Sequence, residues 1–319
     1  MNEARDGVAV VFPGQGSQRA GMAASWRDQP SFERWAQADA LLGRNVSHLG
    51  LDADDDELRI PVNCQVALFV HGVVVYEAWS AMSPPATVTA GHSLGEYNAL
   101  VAGGALDFAD ALMLVDARAR ATQDAADARP GTMVACLGYP VELVTKACDQ
   151  AGAHLANDNA PGQIVVAGTQ GVLSRLREVL EGSGHRGKVV TLEVGAAYHS
   201  PHMRTAVRPF GAALDRAAFR DATVPVVANV DARPHRAAAD WRQVLRAQLT
   251  APVRWRETTA TLVELGARQV VELGASAVLT GLIKRTDRTL GRLAITRPDE
   301  LAEALSAAGL EPGSAEALS

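Results

Sequence analysis

The chain is poor in cysteine, which restricts the compartments in which it is expected and the metal sites that it can form. Its 319 residues include three cysteines, Cys64, Cys136 and Cys148, which are widely spaced and form no C-x-x-C pair. This spacing argues against a disulfide framework and against a zinc site, and it fits a reducing compartment. We therefore expect a cytoplasmic protein without a metal site.

Long apolar runs and blocks of like charge are also absent from the sequence. No segment reaches about 18 apolar residues, and the apolar run VAVVF at 8–12 is too short for a signal peptide. The net charge is −6, and no block of five like-signed charges occurs. Nucleic acid and membranes are therefore not expected partners, and a small molecule or another protein is.

Strand-like and helix-like segments alternate, which is typical of an α/β fold with a mostly parallel sheet. In the first 129 residues the predicted strands lie at 8–12 and 87–90, and apolar residues at helical spacing occupy 22–42, 58–82, 94–106 and 107–128. After residue 200 the predicted order is helix at 201–219, strand at 224–230, helices at 240–249 and 258–267, strand at 269–274 and helix at 278–286.

The pattern changes after Arg129-Pro130-Gly131. From there to residue 196 the segments read strand, helix, strand, strand, helix, strand, which is the ferredoxin-like order. We therefore predict a small ferredoxin-like subdomain at 130–196, inserted into a large α/β subdomain formed by 1–129 and 197–319.

The segment GHSLG at 91–95 satisfies G-x-S-x-G, the nucleophile elbow, and it lies between a predicted strand and a predicted helix. In such an elbow two glycines permit a turn that exposes the serine Oγ at the end of the strand. Ser93 is thus a candidate nucleophile. Alternatively, a serine at this place caps the following helix without any chemistry.

A serine hydroxyl needs a positioned base, which is most often histidine. Among eight histidines, His199 and His202 lie where a strand gives way to a helix through small residues and Pro201, so that a side chain there can project into a cleft. His199 is the better candidate, and the alternative is a histidine that only starts a helix. His92 adjoins Ser93, but its ring should point away from Oγ if the elbow is sharp.

Seven segments resemble, in order, the malonyl-CoA:acyl-carrier-protein transacylases. They are FPGQGSQ (12–18), GHSLGEYNAL (91–100), DFADAL…LVDARARATQDA (107–126), ANDNAPGQIVVAG (156–168), AYHSPHM (197–203), QLTAPVRW (248–255) and VLTGLIKR (278–285). The resemblance implies a hydrolase-like large subdomain and an acyltransferase of fatty-acid or polyketide synthesis. Such an enzyme moves a malonyl or substituted malonyl group from coenzyme A to the phosphopantetheine thiol of an acyl carrier protein.

The resemblance also assigns roles in the reaction. Ser93 matches the nucleophile, His199 matches the base, and Gln248 matches the residue whose backbone carbonyl orients that histidine. Gln15 and Leu94 match the two backbone N–H donors that an oxyanion intermediate needs. No metal or redox cofactor is implied, since the coenzyme A thioester is itself a substrate, and a monomer is expected.

Five side chains are expected at the substrate. Arg118 matches the arginine that binds the free carboxylate of a malonyl group, although an arginine on a helix is more often a solvated surface residue. Gln65 matches a glutamine that lines the site, and His92 is expected beside it. Thr122 and Tyr198 replace the usual methionine and phenylalanine, and their hydroxyls would bind a polar substituent on the acyl carbon, or merely a water.

A basic stretch near the C-terminus is the candidate docking site for the carrier protein, which is in general acidic. It contains Lys284, Arg285, Arg288 and Arg292 within KRTDRTLGR. Because the chain is itself net negative, a local basic patch is needed to attract an acidic partner. Alternatively, these cations simply complement the dipole at a helix end.

Three other activities remain open from the sequence. One is a hydrolase of the same family, against which Arg118 argues because a simple acyl chain has no carboxylate for it to bind. Another is a carrier-to-carrier transferase of a larger acyl or aminoacyl unit, which the changes at Thr122 and Tyr198 permit. A non-catalytic carrier-binding protein is the third, and the intact Ser93 and His199 argue against it.

Overall fold

Two sheets, each covered by helices, divide the structure into a large and a small subdomain. The computed structural model describes residues 7–307. Of the predicted subdomain ranges, residues 1–6 and 308–319 therefore lie outside the described residues.

Before the small subdomain, the chain contributes two strands and six helices to the large one. They are β1 (Gly7–Phe12), α1 (Glu33–Leu42), α2 (Val46–Leu51), α3 (Asp55–Arg59), α4 (Pro61–Ser80), β2 (Val88–Gly91), α5 (Gly95–Ala102) and α6 (Phe108–Ala128). The helix predicted at 22–42 is interrupted, because two 3-10 turns at Ala24–Trp26 and Pro30–Phe32 precede α1. Pro30 has no N–H to donate and cannot continue a helix, so a new helix begins after it.

The small subdomain has four strands and two helices. They are β3 (Thr132–Leu137), α7 (Val141–Ala151), β4 (His154–Ala160), β5 (Gln163–Gly168), α8 (Gln170–Glu181) and β6 (Lys188–Thr191). Its sheet has the order β4-β5-β3-β6, and all neighbouring strands are antiparallel. This is the ferredoxin-like arrangement of two β-α-β units.

After the small subdomain, the chain returns to the large one. It forms α9 (Arg204–Leu214), β7 (Val226–Val227), β8 (Pro234–His235), α10 (Ala238–Gln248), α11 (Trp255–Glu264), β9 (Ala267–Leu273), α12 (Leu279–Thr286), β10 (Gly291–Ile295) and α13 (Glu300–Ala307). The strand predicted at 224–230 is thus only two residues long. It ends early because the side chain of Asn229 turns to bind the elbow, donating to Gly91 O and accepting from Ser93 N.

The large sheet has the order β10-β9-β1-β2-β7-β8, in which only the β7–β8 pair is antiparallel. Strand β1 lies inside the sheet, and five of its six residues are buried, which explains its unbroken apolar sequence. The carboxyl ends of β1 and β2 lie side by side, where ligands bind in open α/β sheets. The predicted α/β fold class is confirmed.

Helix α4 is the apolar centre of the large subdomain. It is long and apolar enough to cross a membrane, but 78% of its most apolar window is buried inside the protein. A helix packed on all sides needs apolar residues around its whole circumference, so the protein core accounts for this composition. One polar group of this helix is unusual: His71 is fully buried against Trp26, and within residues 7–307 neither ring nitrogen has a hydrogen-bond partner.

Strand β4 joins the small subdomain to the large one. Asp158 N donates to Val253 O and Val253 N donates to Ala156 O, both at 2.9 Å, so the strand edge pairs with the loop before α11. Arg256 adds a bidentate ion pair to the buried carboxylate of Asp158, with a closest distance of 2.7 Å. These contacts fix the two walls of the cleft between the subdomains.

Candidate active site

Ser93 lies on a sharp turn between β2 and α5. An added Cβ at Gly91 would come within 1.9 Å of Gly95 O, so the turn requires glycine there. Ser93 itself has a φ of 54°, in the left-handed region that a residue with a Cβ rarely adopts. The N-cap of α5 is Leu94, and the Ser93 hydroxyl instead contacts His199 and Arg118. The turn therefore directs the hydroxyl away from the helix and into the cleft.

The hydroxyl of Ser93 meets the ring of His199. Ser93 Oγ lies 2.7 Å from His199 Nε2, and His199 Nδ1 lies 2.9 Å from the backbone carbonyl oxygen of Gln248. Because a carbonyl only accepts, Nδ1 must carry the ring proton and Nε2 is left to accept from the serine. His199 also has a φ of 54°. The neighbouring candidate, His202, instead packs its ring against His154.

His199 is 5% exposed, and its environment keeps it neutral. Burial, and then the nearby charge of Arg118, lower the pKa of His199 to about 3. At pH 7 the ring is therefore unprotonated and can take a proton from Ser93.

The loop after β1 packs directly on the elbow. An added Cβ at Gly14 would lie 2.4 Å from His92 O, which shows how closely the two backbones approach. In the described part of the chain, the backbone N–H groups of Gln15 and Leu94 donate to no acceptor, and both residues line the cavity beside Ser93. Two free donors next to a nucleophile suit a negative oxygen.

Arg118 reaches the same serine from helix α6. Its side chain is buried, and Nη2 donates to Ser93 Oγ at 3.0 Å and to Gln248 Oε1 at 3.2 Å. Nη1 donates to Gln65 Oε1 at 2.5 Å. Arg120, two residues later, is exposed and pairs with Asp116. The interior location of Arg118 rules out the solvated-surface interpretation for this arginine.

A cavity of about 200 Å³ opens over Ser93 between the two subdomains. The large subdomain supplies the residues already described, together with Tyr198 and the start of α12. The small subdomain supplies the opposite wall, which consists of Met133, Asn157, Asn159, Gln163, Val165, Leu192 and Val194. The cavity is thus closed only when the two subdomains are joined.

Comparison with known proteins identifies the family. The sequence profile of the Acyl transferase domain matches residues 9–311 of the chain. The chain belongs to this acyl transferase family. The resemblance indicated by the seven sequence motifs is thereby confirmed.

Relatives of this acyl transferase match it over most of their length. The malonyl CoA-acyl carrier protein transacylase of Bacillus subtilis (strain 168) is 36% identical over 301 residues, which are 92% of this chain and 95% of the relative. The enzyme of the same name from Escherichia coli (strain K12) is 35% identical over 304 residues, or 93% and 98% of the two chains.

Solved structures give the same result. The malonyl-CoA:acyl carrier protein transacylase of Xanthomonas oryzae pv. oryzae has a TM-score of 0.90 and 38% identity, covering 95% of this chain and 98% of that one. A malonyl-transacylase in complex with its type II PKS acyl-carrier protein also has a TM-score of 0.90, with 34% identity and coverage of 94% and 99%.

Two residues of the acyl transferase that were expected to line the site lie behind it. Gln65 and Thr122 do not line the cavity but support Arg118 from the far side. The Thr122 hydroxyl donates to Arg118 O at 2.8 Å within its own helix, so it is not directed at a substrate. Tyr198 does line the cavity, and its buried hydroxyl has no hydrogen-bond partner among the described residues.

His92 connects the elbow of the acyl transferase to the small subdomain. Its ring points away from Ser93 Oγ, as expected for a sharp elbow, and Nε2 lies 2.8 Å from Asn159 Oδ1. Burial lowers the pKa of His92, so the ring stays neutral and donates this hydrogen bond. His92 therefore lines the cavity and also fixes its opposite wall.

The predicted basic patch is partly dispersed. Lys284, Arg285 and Arg288 are exposed, and Arg285 donates to Gln163, which lines the cavity. Arg292, the second residue of β10, is half-buried and donates to the carbonyls of Leu290 and Asp287. Arg292 is therefore withdrawn from the patch, and the other three cations stay exposed, with Arg285 in contact with a cavity residue.

Two site residues of the acyl transferase were missed at the sequence level. Asn229 accepts from Ser93 N at 2.6 Å and donates to Gly91 O at 2.7 Å, so it holds the elbow from outside. Glu96 is a fully buried carboxylate one turn after Ser93. Asn229 gave no signal because it lies inside the strand predicted at 224–230, and Glu96 looks like an ordinary acid at a helix start.

Proposed function

We propose that the protein transfers a malonyl group from coenzyme A to the phosphopantetheine thiol of an acyl carrier protein through an ester on Ser93. The observation that carries this is Arg118, a buried cation 3.0 Å from Ser93 Oγ whose hydrogen-bond partners within residues 7–307 are all uncharged. An acyl group that ends in a carboxylate would supply the missing counter-charge. The names of the relatives support the same donor and acceptor, and they support transfer rather than hydrolysis.

In the first half-reaction, His199 Nε2 takes the proton of Ser93 while Oγ attacks the thioester carbonyl carbon. The carbonyl oxygen becomes negative and accepts hydrogen bonds from the N–H groups of Gln15 and Leu94. When this intermediate collapses, the carbon–sulfur bond breaks and the proton on His199 passes to the sulfur of coenzyme A. A malonyl ester remains on Ser93.

The second half-reaction repeats these steps with the carrier protein. His199 takes the proton of the phosphopantetheine thiol, and the sulfur attacks the ester carbonyl carbon. Collapse breaks the bond to Ser93 Oγ, which recovers its proton from His199. The products are coenzyme A and a malonyl-carrier thioester, so atoms and protons balance over one cycle.

Arg118 also links the identity of the acyl group to the reactivity of the site. Its positive charge is one cause of the low pKa of His199. A malonyl carboxylate bound to Arg118 cancels part of that charge, which strengthens His199 as a base when the substrate is present. Selectivity is therefore expected in kcat as well as in KM.

The carrier protein is proposed to dock at the cavity mouth beside α12. Lys284, Arg285 and Arg288 are exposed on this helix or just after it, and Arg285 contacts the cavity residue Gln163 at 2.6 Å. An acidic carrier would be guided by this local charge despite the net charge of −6. The carrier-bound relative supports such a partner in fatty-acid or polyketide synthesis.

The proposed chemistry needs no resident metal or redox cofactor, because the chain itself supplies nucleophile, base and oxyanion donors. Coenzyme A enters only as part of the substrate. We place the reaction in the cytoplasm, which the three free cysteines support, since all are buried as thiols.

Intact-protein mass spectrometry after incubation with malonyl-CoA tests the proposal. The wild type should gain the mass of one malonyl group and lose it on addition of a carrier protein with its phosphopantetheine arm. Ser93→Ala should gain none, and His199→Ala should acylate at least about a hundredfold more slowly because its base is gone. His202→Ala is the matched control and should acylate at the wild-type rate. An adduct on Ser93→Ala, or slow loss to water but not to the carrier, would refute the proposal.

A further inference from the structure

Glu96 is a carboxylate with no contact to solvent. It lies in the first turn of α5, three residues after Ser93, and it is fully buried. One oxygen, Oε1, accepts from Asn229 N at 3.2 Å, and the other, Oε2, accepts from Gln248 Nε2. Both donors belong to residues that hold the reacting groups, so this acid lies behind the site rather than in the substrate cavity.

The Gln248 side chain can adopt only one orientation. Its Oε1 faces Arg118, which can only donate, and its Nε2 faces Glu96 and the carbonyl oxygen of Ser93, which accept. A flipped amide would place donor against donor on one side and acceptor against acceptor on the other. The Glu96 carboxylate thus helps to set the amide, and the backbone of the same residue holds His199.

Charge gives Glu96 a second connection to the site. Arg118 is buried among neutral hydrogen-bond partners, and a buried cation is costly without a counter-charge. The Gln248 amide accepts from Arg118 and donates to Glu96, so its dipole connects the cation to the anion. Before a substrate carboxylate binds, Glu96 is the carboxylate connected to Arg118 through the Gln248 amide.

We propose that Glu96 is a positioning residue for acyl transfer, which fixes Gln248 so that this one residue holds both the His199 ring and the Arg118 guanidinium. The inference rests on the proposed malonyl transfer, since it concerns how the same site is held. Glu96 touches neither the substrate cavity nor Ser93 Oγ, so its effect must pass through Gln248 and Asn229.

The isosteric change Glu96→Gln tests this arrangement sharply. A carboxylate accepts with both oxygens, whereas a carboxamide has one acceptor and one NH₂ donor. Whichever way the new amide turns, its NH₂ group faces either Gln248 Nε2 or Asn229 N. One of the two hydrogen bonds is therefore lost while shape and volume are kept.

Protonation of Glu96 should have the same effect as this substitution. Burial raises the pKa of Glu96 to about 7, against the lowering effects of its hydrogen bonds and of Arg118. The charged or titratable groups that act on it are Arg118 from α6 and Asp231 from the loop after β7, with Tyr97 adjacent on α5. Because burial and then Arg118 lower the pKa of His199 to about 3, an activity loss as pH falls through about 7 would report Glu96.

The experiment measures kcat/KM for malonyl-CoA against pH between 6 and 8.5 in the wild type, Glu96→Gln and Glu77→Gln. We expect an acid limb near pH 7 in the wild type and in Glu77→Gln. Glu77 is the control because it is a remote acid that pairs with Arg34. Glu96→Gln should be roughly ten- to a hundredfold slower at pH 8 and should lack this limb. Ionisation of malonyl-CoA itself affects every protein equally.

Several results would overturn the inference. They are a wild type without an acid limb, a Glu96→Gln variant that keeps the limb, and a Glu96→Gln variant as fast as the wild type at pH 8. If Glu96→Gln does not fold, Glu96→Asp keeps the ionisable group and should be slower but retain the limb, and a flat profile would refute the role. Absence of any malonyl transfer by the wild type would instead be a failure of the proposed function.

Discussion

Arg118 and His199 converge on one oxygen atom. Arg118 Nη2 lies 3.0 Å and His199 Nε2 lies 2.7 Å from Ser93 Oγ, and both side chains are held by Gln248, one through its carboxamide and the other through its backbone carbonyl. A change at either residue must therefore affect Ser93 as well as its own partner. These effects are separated by the ratio of kcat/KM for two substrates rather than by a single rate.

Replacement of Arg118 by glutamine should remove the preference for malonyl donors. The lost charge-assisted contact is worth about 3 kcal/mol, so kcat/KM for malonyl-CoA should fall roughly a hundredfold, while that for acetyl-CoA should fall much less. The measurement is the ratio of the two values. Arg120→Gln, an exposed neighbour on the same helix, is the control and should keep the wild-type ratio. An unchanged ratio in Arg118→Gln would remove this arginine from the acyl site.

Tyr198 and Thr122 provide a second matched pair. Tyr198→Phe removes a buried hydroxyl, without a hydrogen-bond partner among the described residues, from a side chain that lines the cavity, whereas Thr122→Val removes one already bonded within its helix. For a malonyl donor with a hydroxyl on its central carbon, we expect Tyr198→Phe to reduce use about fivefold relative to malonyl-CoA, since one hydrogen bond is worth about 1 kcal/mol. Thr122→Val should leave this ratio unchanged. Equal effects of both substitutions would show that Tyr198 does not hydrogen-bond the substituent.

His71 should make the protein sensitive to mild acid. Burial, and then the charge of Arg19, lower the pKa of His71 to about 3, below the value of about 6.5 in an unfolded chain. As pH falls below 6.5 the unfolded chain binds a proton that the folded ring does not bind. The free energy of unfolding therefore decreases between pH 6.5 and pH 3. At pH 5 this loss is about 2 kcal/mol.

His71→Leu should remove that component. Its free energy of unfolding in urea should fall less between pH 7.5 and pH 5 than that of the wild type, by about 2 kcal/mol. The exposed His185, replaced in the same way, is the control and should keep the wild-type dependence, since solvent surrounds it in both states. An identical pH dependence in His71→Leu and wild type would contradict the explanation.

Local chemistry made much of this site predictable. The elbow at Ser93 needs only a strand, a helix and glycines at fixed spacing, and all of these lie within a few residues of one another. His199 was a candidate because it lies where a strand gives way to a helix, whereas Arg118 was a candidate only because its motif resembles a family. Both side chains lie within hydrogen-bonding distance of Ser93 Oγ. The left-handed backbone at His199 had no signal, because neither glycine nor asparagine marks it.

Long-range polar contacts were the part that the sequence did not predict. Glu96 reaches Gln248 across 152 positions and Asn229 across 133, and nothing near Glu96 in the sequence points to either partner. The prediction of a strand at 224–230 was too long for a related reason, since β7 has only two residues. Its apolar residues continue to Val230, but the bonds of Asn229 to the elbow take the chain out of the sheet. A side chain with a distant partner thus overrode the local propensity.

The chain leaves the large subdomain and returns to it at adjacent points. A Cβ added at Gly131 would lie 2.7 Å from the Cβ of Ala197. A segment whose ends meet can be exchanged between relatives as a cassette, without stretching its host. Ser93 and Arg118 belong to the host, and the wall that faces them belongs to the cassette. Exchange of the cassette would therefore change the opposite wall of the cavity, while Ser93 and Arg118 are inherited unchanged with the host.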